Sequence, residues 1–322
     1  MARVALDAMG GDRAPLETVL GAAAAAERGY DVILVGDRSI LAPMVVDHES
    51  YLPIVHASEV IGMHEDAVRA IREKPDASVS VAARLVRDGI VSAFVSAGST
   101  GAALATAAIT IGRLDGVDRP AIATMLPTPD SPTVLIDSGA NPDCRPEYFP
   151  QFALMGAVIA EVHFGLEQPR VGLLNIGEEK GKGRELEKIA YELLEATPVN
   201  FIGNVEGRDL SSDAVDVLVT DGFTGNVVLK TTEGTAQFVA QMALDAMATM
   251  SLEDQKRVLP VLSGLRARLD YETFGGAHLV GSRGVVVIAH GASSSVAIAN
   301  AIALAADGAD RDLVNRLADR VA

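Results

Sequence analysis

The chain alternates between two kinds of segment along most of its length. Short runs rich in valine and isoleucine are each closed by small or polar residues and followed by a stretch with helical spacing. The runs are RVALDA, DVILVGD, IVSAFVSAG, TVLIDSGAN, RVGLLNIG, AVDVLVTDGF and GVVVIAHGAS. Because the runs are apolar on both faces, they indicate a mostly parallel sheet with helices on both sides. We therefore expect an α/β fold, a three-layer αβα sandwich.

The sequence has no fixed-period repeat, low-complexity segment or flexible linker that would mark a domain boundary. A chain of 322 residues with 49% hydrophobic residues can bury a substantial core. We expect a single catalytic domain over residues 1–322.

Composition excludes several classes of protein. The formal net charge of −16 argues against non-specific nucleic-acid binding, which needs a basic surface. Cys144 is the only cysteine, so an intrachain disulfide and a multi-cysteine zinc site are excluded, as suits a reducing cytoplasm. The first residues predict a strand and not a signal peptide, and the sequence contains no unbroken apolar run of about 18 residues. We expect a cytoplasmic protein whose only membrane contact is peripheral.

One region departs from the alternation. Residues 225–250 follow a long helical pattern with an apolar stripe that includes Phe238, and the pattern continues beyond them. We predict breaks at Pro260 and Gly264, which divide the region into two helical pieces. We call residues 233–274 the helical arm. Its apolar residues would contact a second subunit, the parent core or a membrane, and we favour the subunit contact.

Polar or glycine-rich residues follow nearly every predicted strand. The segments are DAMGGD (7–12), SAGSTG (96–101), DSGAN (137–141), NIGEEKGKG (175–183), DGFTGN (221–226) and HGAS (290–293). Any one of them is ordinary turn and helix-cap chemistry. Ligands in open α/β sheets bind outside the carboxyl ends of strands. Six such segments therefore suggest one shared site.

The segment SAGSTG leads from a strand into an alanine-rich helix. Such a turn points free N–H groups and the positive end of the helix dipole at an anion. It lacks the lysine of a nucleotide-binding P-loop, the first strand lacks G-x-G-x-x-G, and no G-x-S-x-G elbow occurs. The remaining possibility is a pocket for a small tetrahedral anion such as phosphate. Its polar neighbours would be Asp221, Asn226, Lys230, Asn204, Lys180, Lys182 and His290.

A series of motifs along the chain resembles a known family. In order they are DAMGGD, SAGSTGA, the triplet Arg119-Pro120-Ala121, DSGAN, LLNIGEEKGKG, FIGNVEGRD, TDGFTGNVVLK, GGAHLVG and AHGAS. Together they resemble the bacterial phosphate acyltransferases of phospholipid synthesis, the PlsX family. The resemblance extends from Val4 to about Ala306.

The resemblance implies a reaction. A long-chain fatty acyl group would move from acyl carrier protein to inorganic phosphate, and the acyl phosphate would supply a downstream glycerol-3-phosphate acyltransferase. The implied fold is similar to phosphotransacetylases and to isocitrate or isopropylmalate dehydrogenases. A homodimer, peripheral association with the inner face of the membrane, and the absence of a metal or organic cofactor are also implied.

Chemistry suggests roles for the candidate residues. We expect Ser96, Gly98, Ser99, Thr100 and Gly101 to bind phosphate, with Lys180, Lys182 or Lys230 balancing its charge. Asn204 or Asn226 would donate to the oxyanion. A protonated Asp221 would donate to phosphate or to the departing thiolate, as an aspartate does in the similar phosphotransacetylases, and His290 is the alternative for that proton. The expected catalytic residues are Asp221, His290, Asn226 and Lys230.

The arm carries a basic cluster formed by Lys256, Arg257, Arg266 and Arg268. It would suit an acidic carrier protein or an anionic membrane surface, or it is an ordinary solvated helix face.

Three other functions remain possible from the sequence. A phosphotransacetylase acting on acyl-coenzyme A would share the chemistry but would need a basic site for the adenine nucleotide. An isocitrate-type dehydrogenase would need convergent arginines and metal-binding aspartates. A non-catalytic membrane scaffold would leave six polar strand ends unexplained.

Overall fold

The computed structural model describes residues 1–46, 52–128, 131–269 and 271–321. Within these ranges eleven strands form one sheet. They are β1 Arg3–Asp7, β2 Asp31–Gly36, β3 Ile54–His56, β4 Ala93–Ser96, β5 Ala121–Leu126, β6 Thr133–Ile136, β7 Arg170–Asn175, β8 Asn200–Glu206, β9 Val217–Val219, β10 Ala277–Val280 and β11 Val285–Ile288. The strand order is β3-β2-β1-β4-β11-β10-β5-β6-β9-β7-β8.

Eleven α-helices lie within the same described ranges. They are α1 Leu16–Glu27, α2 Arg38–Val45, α3 Ala67–Glu73, α4 Ser78–Arg87, α5 Thr100–Thr106, α6 Tyr148–Phe164, α7 Glu185–Glu195, α8 Gly222–Ala248, α9 Leu252–Leu269, α10 Ser295–Asp310 and α11 Leu313–Val321. A π-helical turn, Ala107–Ile111, continues α5. None of the helices described is both long and apolar enough to cross a bilayer.

The sheet is covered on both faces. Val4 and Leu6 of β1 point into one apolar layer, which also contains residues of α1, α6 and α10. Ala5, between them, points into the opposite layer, built with α4 and α5. The alternation places helices on both sides of a buried sheet, so the predicted α/β sandwich is confirmed.

The sheet contains strands of two directions. The pairs β11–β10, β10–β5 and β5–β6 are antiparallel, and the other paired strands are parallel. Three successive reversals mean that β6, β7, β8 and β9 run opposite to β1 and β4. The polar segments predicted above therefore follow strands of two opposite directions. The sequence pattern did not reveal this, because a strand has the same apolar alternation in either direction.

The arm contains a break at a different place from the predicted one. Helix α8 ends at Ala248, α9 begins at Leu252, and Pro260 and Gly264 both lie inside α9. The break follows from a capping residue, since Ser251 Oγ accepts the N–H of Asp254 over 3.2 Å and so starts a new helix.

Most of the arm does not pack into the parent core. Gly222 and Gly225 are the buried residues of α8. Farther along the helix, Phe238 is 63% exposed and Met242 is 56% exposed. The stripe is therefore open to another surface.

Two histidines meet in a buried layer between α6 and β10. Nε2 of His163 lies 2.9 Å from Nε2 of His278. Burial, aided by the charge of Arg311, lowers the pKa of His163 to about 4. Burial, aided by His163, lowers the pKa of His278 well below its ordinary value. The pair is therefore neutral at physiological pH.

We expect the free energy of unfolding to fall as the pH drops from about 6.5 toward about 4. The unfolded chain protonates histidine near pH 6.5, whereas folded His163 stays neutral to about pH 4, so acid favours unfolding. The loss from His163 is on the order of 3 kcal/mol, measured by urea unfolding across this pH range. His163→Gln should flatten the dependence, and substitution of the exposed His64 should not. An equally steep dependence in His163→Gln would contradict this assignment.

Candidate active site

The turn between β4 and α5 uses some of its polar groups inside the protein. Buried Ser96 donates its hydroxyl hydrogen to Oδ2 of Asp7 over 2.7 Å. The N–H of Gly98 donates to Ser96 Oγ over 3.1 Å. Ser99 is the N-cap of α5, and its Oγ accepts the N–H of Ala102 over 3.5 Å. Ser96 and Gly98 therefore shape the turn, and their donors do not face solvent.

The first turn of α5 is the exposed part of the same motif. Thr100 and Gly101 are exposed. Their N–H groups precede the helical hydrogen bond from Ala103 N to Ser99 O, so they have no partner within the helix. The positive end of the helix dipole adds to these donors. Ser99, Thr100 and Gly101 form a surface that can receive an anion.

Asp7 belongs to this site, although the sequence pattern did not predict it as a site residue. It is 2% exposed, and its Oδ1 has no hydrogen-bond partner among the described residues. Burial raises its pKa, although hydrogen bonds from Ser78 and Ser96 oppose the shift. A cavity of about 10 Å³ beside it has room for one water molecule. The signal in the sequence was an aspartate directly after the apolar residues Val4–Leu6 of the first strand.

His290 lies beside this turn. A Cβ on Gly11 would lie 3.2 Å from Ala97 O and 3.3 Å from Gly291 O, so three chain segments are in close contact. His290 is exposed, and its Nδ1 accepts the N–H of Ala292 over 3.2 Å. We call these segments, residues 7–12, 96–101 and 290–293, the β4 group.

Asp137 organises the loop that follows β6. Its buried carboxylate accepts five hydrogen bonds of 2.7–3.1 Å, from the N–H groups of Ile122, Gly139, Ala140 and Asn141 and from the Asn141 side chain. So many donors on one carboxylate hold the DSGAN loop in a single path.

The start of α8 packs directly on this loop. A Cβ on Gly225 would lie 2.0 Å from the backbone oxygen of Asp137, so only glycine allows the approach. Asn226 donates from Nδ2 to Ser138 O over 3.4 Å. The Asn226 amide therefore lies at the junction of the loop and the helix.

Asp221 is the N-cap of α8. Its Oδ1 accepts the N–H of Thr224 over 2.8 Å, and its Oδ2 accepts the Thr224 hydroxyl over 2.7 Å. Oδ2 also lies 2.8 Å from Nη2 of Arg184, and the Asp221 side chain is 4% exposed. In each contact the carboxyl group is an acceptor. A proton on Oδ2, as in the protonated donor considered above, would displace one of these partners.

Arg184 is a second residue that the sequence reasoning missed. Its guanidinium bonds both Asp221 and Glu187. Hydrogen bonds to Glu187 and then to Asp221 raise its pKa. The sequence EEKGKGR offers three cations, Lys180, Lys182 and Arg184. Spacing alone did not indicate which of them meets Asp221.

Each of the three predicted lysines pairs with a carboxylate, and the carboxylates of Lys180 and Lys182 are exposed. The pairs are Lys180 with Glu195 at 2.5 Å, Lys182 with Glu179 at 3.7 Å and Lys230 with Glu233 at 2.8 Å. Exposed pairs of this kind contribute only about 0–1 kcal/mol, so an incoming anion can compete for the lysines.

Asn204 supports the loop that follows β7. Its Oδ1 accepts from Asn175 Nδ2 over 3.0 Å, and its Nδ2 donates to Glu179 O over 2.9 Å. Both ends of the Asn204 amide are occupied, so this side chain supports the loop.

We call residues 137–141, 175–184, 204 and 221–230 the α8 group.

The basic cluster on α9 is described in part. Lys256 is exposed, and Arg257 pairs with Glu253 at 2.6 Å. Arg266 and Arg268 belong to α9, but their side chains lie outside the described residues.

Cys144 is another reactive group near the site. Cys144 donates its thiol to Asn141 O over 3.3 Å, and burial raises its pKa to about 12, which makes it a poor nucleophile. Among the residues that the structure describes, no three His, Cys, Asp or Glu side chains are grouped to hold a metal ion.

Comparison with known proteins identifies close relatives of the whole chain. A family model described as "Fatty acid synthesis protein" matches residues 2–316. A phosphate acyltransferase from Desulforamulus reducens is 48% identical, covering 98% of this chain and 96% of the relative. A phosphate acyltransferase from Heliobacterium modesticaldum is 46% identical, covering 99% and 97%.

Solved structures share the fold at low identity. A phosphotransacetylase from Streptococcus pyogenes superposes with a TM-score of 0.66 at 16% identity, covering 96% of this chain and 94% of that one. A 4-hydroxythreonine-4-phosphate dehydrogenase from Klebsiella pneumoniae gives a TM-score of 0.52 at 14% identity, covering 95% and 98%. The expected likeness to phosphotransacetylases is confirmed at the level of the fold.

Proposed function

The chain belongs to the fatty acid synthesis protein family, and on that basis we propose that it transfers a long-chain fatty acyl group from acyl carrier protein to inorganic phosphate. The product is an acyl phosphate for phospholipid synthesis. The full-length relatives are named for phosphate acyl transfer, and the chain spans nearly their whole length. The acyl carrier protein donor is what the motif resemblance implies.

The exposed start of α5 carries the proposal on the structural side. Phosphate binds at Ser99, Thr100 and Gly101, of which Ser99 is half-buried and the other two are exposed. Ser96 and Gly98 act from beneath by shaping the turn. Lys180 and Lys182 are near enough to the surface to exchange their carboxylate partners for the anion.

The reaction needs little base catalysis. A phosphate oxygen attacks the thioester carbon, and a tetrahedral oxyanion forms. The C–S bond then breaks, and the proton that phosphate carried goes to the departing thiolate. Because phosphate is already anionic near neutral pH, the protein's task is to position the reactants and stabilise the oxyanion. Of the two expected oxyanion donors we favour Asn226, because both ends of the Asn204 amide are occupied. Lys230 is a candidate for balancing the charge of phosphate. Asp221 and His290 remain the candidates for managing the proton.

The twist of the sheet supports a crevice shared by the β4 and α8 groups. Neighbouring strands rotate by about 20–25°, and five steps separate β4 from β9 in the sheet. Over five steps the rotation accumulates to about 100–125°. Two strands of opposite direction would point about 180° apart in a flat sheet, so the twist leaves the directions of β4 and β9 roughly 55–80° apart. We propose that both groups face one crevice at this flank of the sheet.

The arm is the surface for macromolecular partners. Its exposed apolar stripe suits the homodimer contact, and its cations suit acyl carrier protein or the anionic inner face of the membrane. Peripheral attachment would keep the acyl phosphate near a downstream glycerol-3-phosphate acyltransferase.

Charge reversal of Arg266 and Arg268 to glutamate should raise the Michaelis constant for acyl carrier protein or weaken binding to anionic vesicles. The glutamates would lose the attraction to an acidic surface. Because salt screens this attraction, the difference between the variant and the wild type should become smaller at high salt. Steady-state kinetics and vesicle sedimentation measure the two outcomes. If neither quantity changes, the cluster has no recruiting role.

One assay tests the proposed function. Purified protein is incubated with long-chain acyl carrier protein and inorganic phosphate, and free thiol is followed. Thiol release that depends on phosphate supports the proposal. Release from acyl-coenzyme A alone supports the phosphotransacetylase-like alternative, and no release from either donor overturns both.

A further inference from the structure

Arg184 occupies an unusual position between two carboxylates. It precedes α7 and closes the glycine-rich loop after β7. Its Nη2 lies 2.8 Å from Asp221 Oδ2 and also donates to Glu187 Oε1. Its Nε donates to the same Glu187 oxygen over 2.9 Å. The Asp221 and Glu187 side chains are 4% and 9% exposed, whereas that of Arg184 is 61% exposed. Two nearly buried carboxylates thus hold one guanidinium at the surface.

The Nη1 nitrogen of Arg184 takes no part in these contacts. Arginine has five N–H donors in a planar fork. The contacts with Glu187 and Asp221 involve Nε and Nη2. Nη1 makes no hydrogen bond to any residue that the structure describes. Because the fork is planar, one Nη1 N–H lies parallel to the Nη2 N–H that meets Asp221, and the other is directed to the opposite edge of the guanidinium.

We propose that Arg184 is a catalytic residue, which binds an oxyanion of the reaction through Nη1, and that Asp221 and Glu187 are positioning residues that orient it. This inference rests on the proposed function and names Arg184 as the cation that binds the anionic group in that reaction. The oxyanion is either an oxygen of substrate phosphate or the oxyanion formed at the thioester carbon.

The alternative cations of the same loop are less suited to this role. Lys180 and Lys182 pair with exposed glutamates and carry flexible side chains. Lys182, whose nearest carboxylate is 3.7 Å away, must be ordered when the anion arrives, and Lys180 is already engaged by Glu195 and the ring of Tyr191. A guanidinium already fixed by two carboxylates loses little freedom. Preorganised donors are the ones that most favour a transition state.

The contacts of Asp221 fit a positioning role. Both of its oxygens accept hydrogen bonds, from Thr224 and Arg184. Thr224 ties the carboxylate to the start of α8, so the direction of the Arg184 fork is coupled to the helix. Removing the charge of Asp221 would release Arg184 from that direction.

The first test is Arg184→Lys, which keeps the charge and removes the fork. Turnover over Michaelis constant for phosphate should fall on the order of 100-fold, the usual loss for one oxyanion donor. A change confined to the Michaelis constant for phosphate identifies substrate phosphate, and one confined to turnover identifies the reaction oxyanion. Arg170→Lys is the matched control, because Arg170 also pairs with a mostly buried carboxylate, Asp216, at the other end of β7. That control should keep wild-type kinetics.

The second test is a double-mutant cycle between Asp221→Asn and Arg184→Lys. If Asp221 acts through Arg184, the double variant should lose little more activity than either single variant. Multiplying losses would mean that Asp221 acts independently, which overturns its positioning role. Thermal unfolding of every variant separates misfolding from a change at the site, and Glu187→Gln gives a second, milder disturbance of the same fork.

The outcomes separate this inference from the proposed function. If the wild-type protein shows no phosphate-dependent thiol release, the proposed function fails and the inference with it. If the wild type is active and folded Arg184→Lys and Arg184→Ala variants match it in both kinetic constants, only the inference is overturned.

Discussion

Replacing Asp221 with asparagine is expected to lower turnover by at least about 100-fold, the usual contribution of an acid–base or electrostatic group. Asparagine can still cap α8, but it has no charge to hold Arg184. The amide also cannot exchange a proton with the departing thiolate. Both roles considered for Asp221 therefore predict a large loss, measured as phosphate-dependent thiol release at saturating substrates.

Asp37→Asn is the matched control for this variant. Asp37 is likewise the N-cap of a helix, α2, and accepts the N–H and hydroxyl of Ser39. It lies outside both groups of candidate residues, so turnover should not change. A folded Asp221→Asn protein with nearly normal turnover would remove Asp221 from the site.

Replacing Gly225 with alanine should disrupt the site by moving a backbone. The added Cβ would meet the Asp137 oxygen at 2.0 Å, a distance at which the loop or the helix must shift. Forced overpacking of this kind costs about 1–3 kcal/mol. A displacement of about 1 Å at a reacting centre can lower turnover on the order of 100-fold. Thermal unfolding and turnover measure the two effects.

Gly234→Ala is the control on the same helix. A Cβ at Gly234 would meet no atom within 4 Å. Because alanine favours an exposed helix over glycine by up to about 1 kcal/mol, the control should be slightly more stable, with unchanged turnover. Equal stability and equal activity in Gly225→Ala would show that the loop can yield without cost.

The residue types at the strand ends were predictable, but their partners were not. Glycine and polar residues after apolar runs indicated a site from local pattern alone. Ser96 was predicted to bind phosphate, yet its hydroxyl is directed to Asp7, 89 residues away. Arg184 and Asp221 are 37 residues apart, and no spacing rule joins them. Such pairs form only when separate elements pack together.

The helical arm illustrates the same division within one element. The apolar spacing predicted helices over most of the region, and α8 and α9 are there. The break lies at Ser251 instead of Pro260. The Ser251 side chain caps the start of α9, and Pro260 lies inside that helix without ending it. Exposure of the stripe along α8 depended on what the rest of the chain covers.

By itself, the sequence determined the layered α/β class, the family and the set of polar segments at strand ends. Each of these depends on the order and period of side chains within a short stretch, which the sequence states directly. Only the tertiary structure decided that β6 to β9 run against β1 and β4, and that Arg184 is the cation that contacts Asp221. Strand direction and long-range contacts are set by packing between distant segments, and a local period carries no information about either.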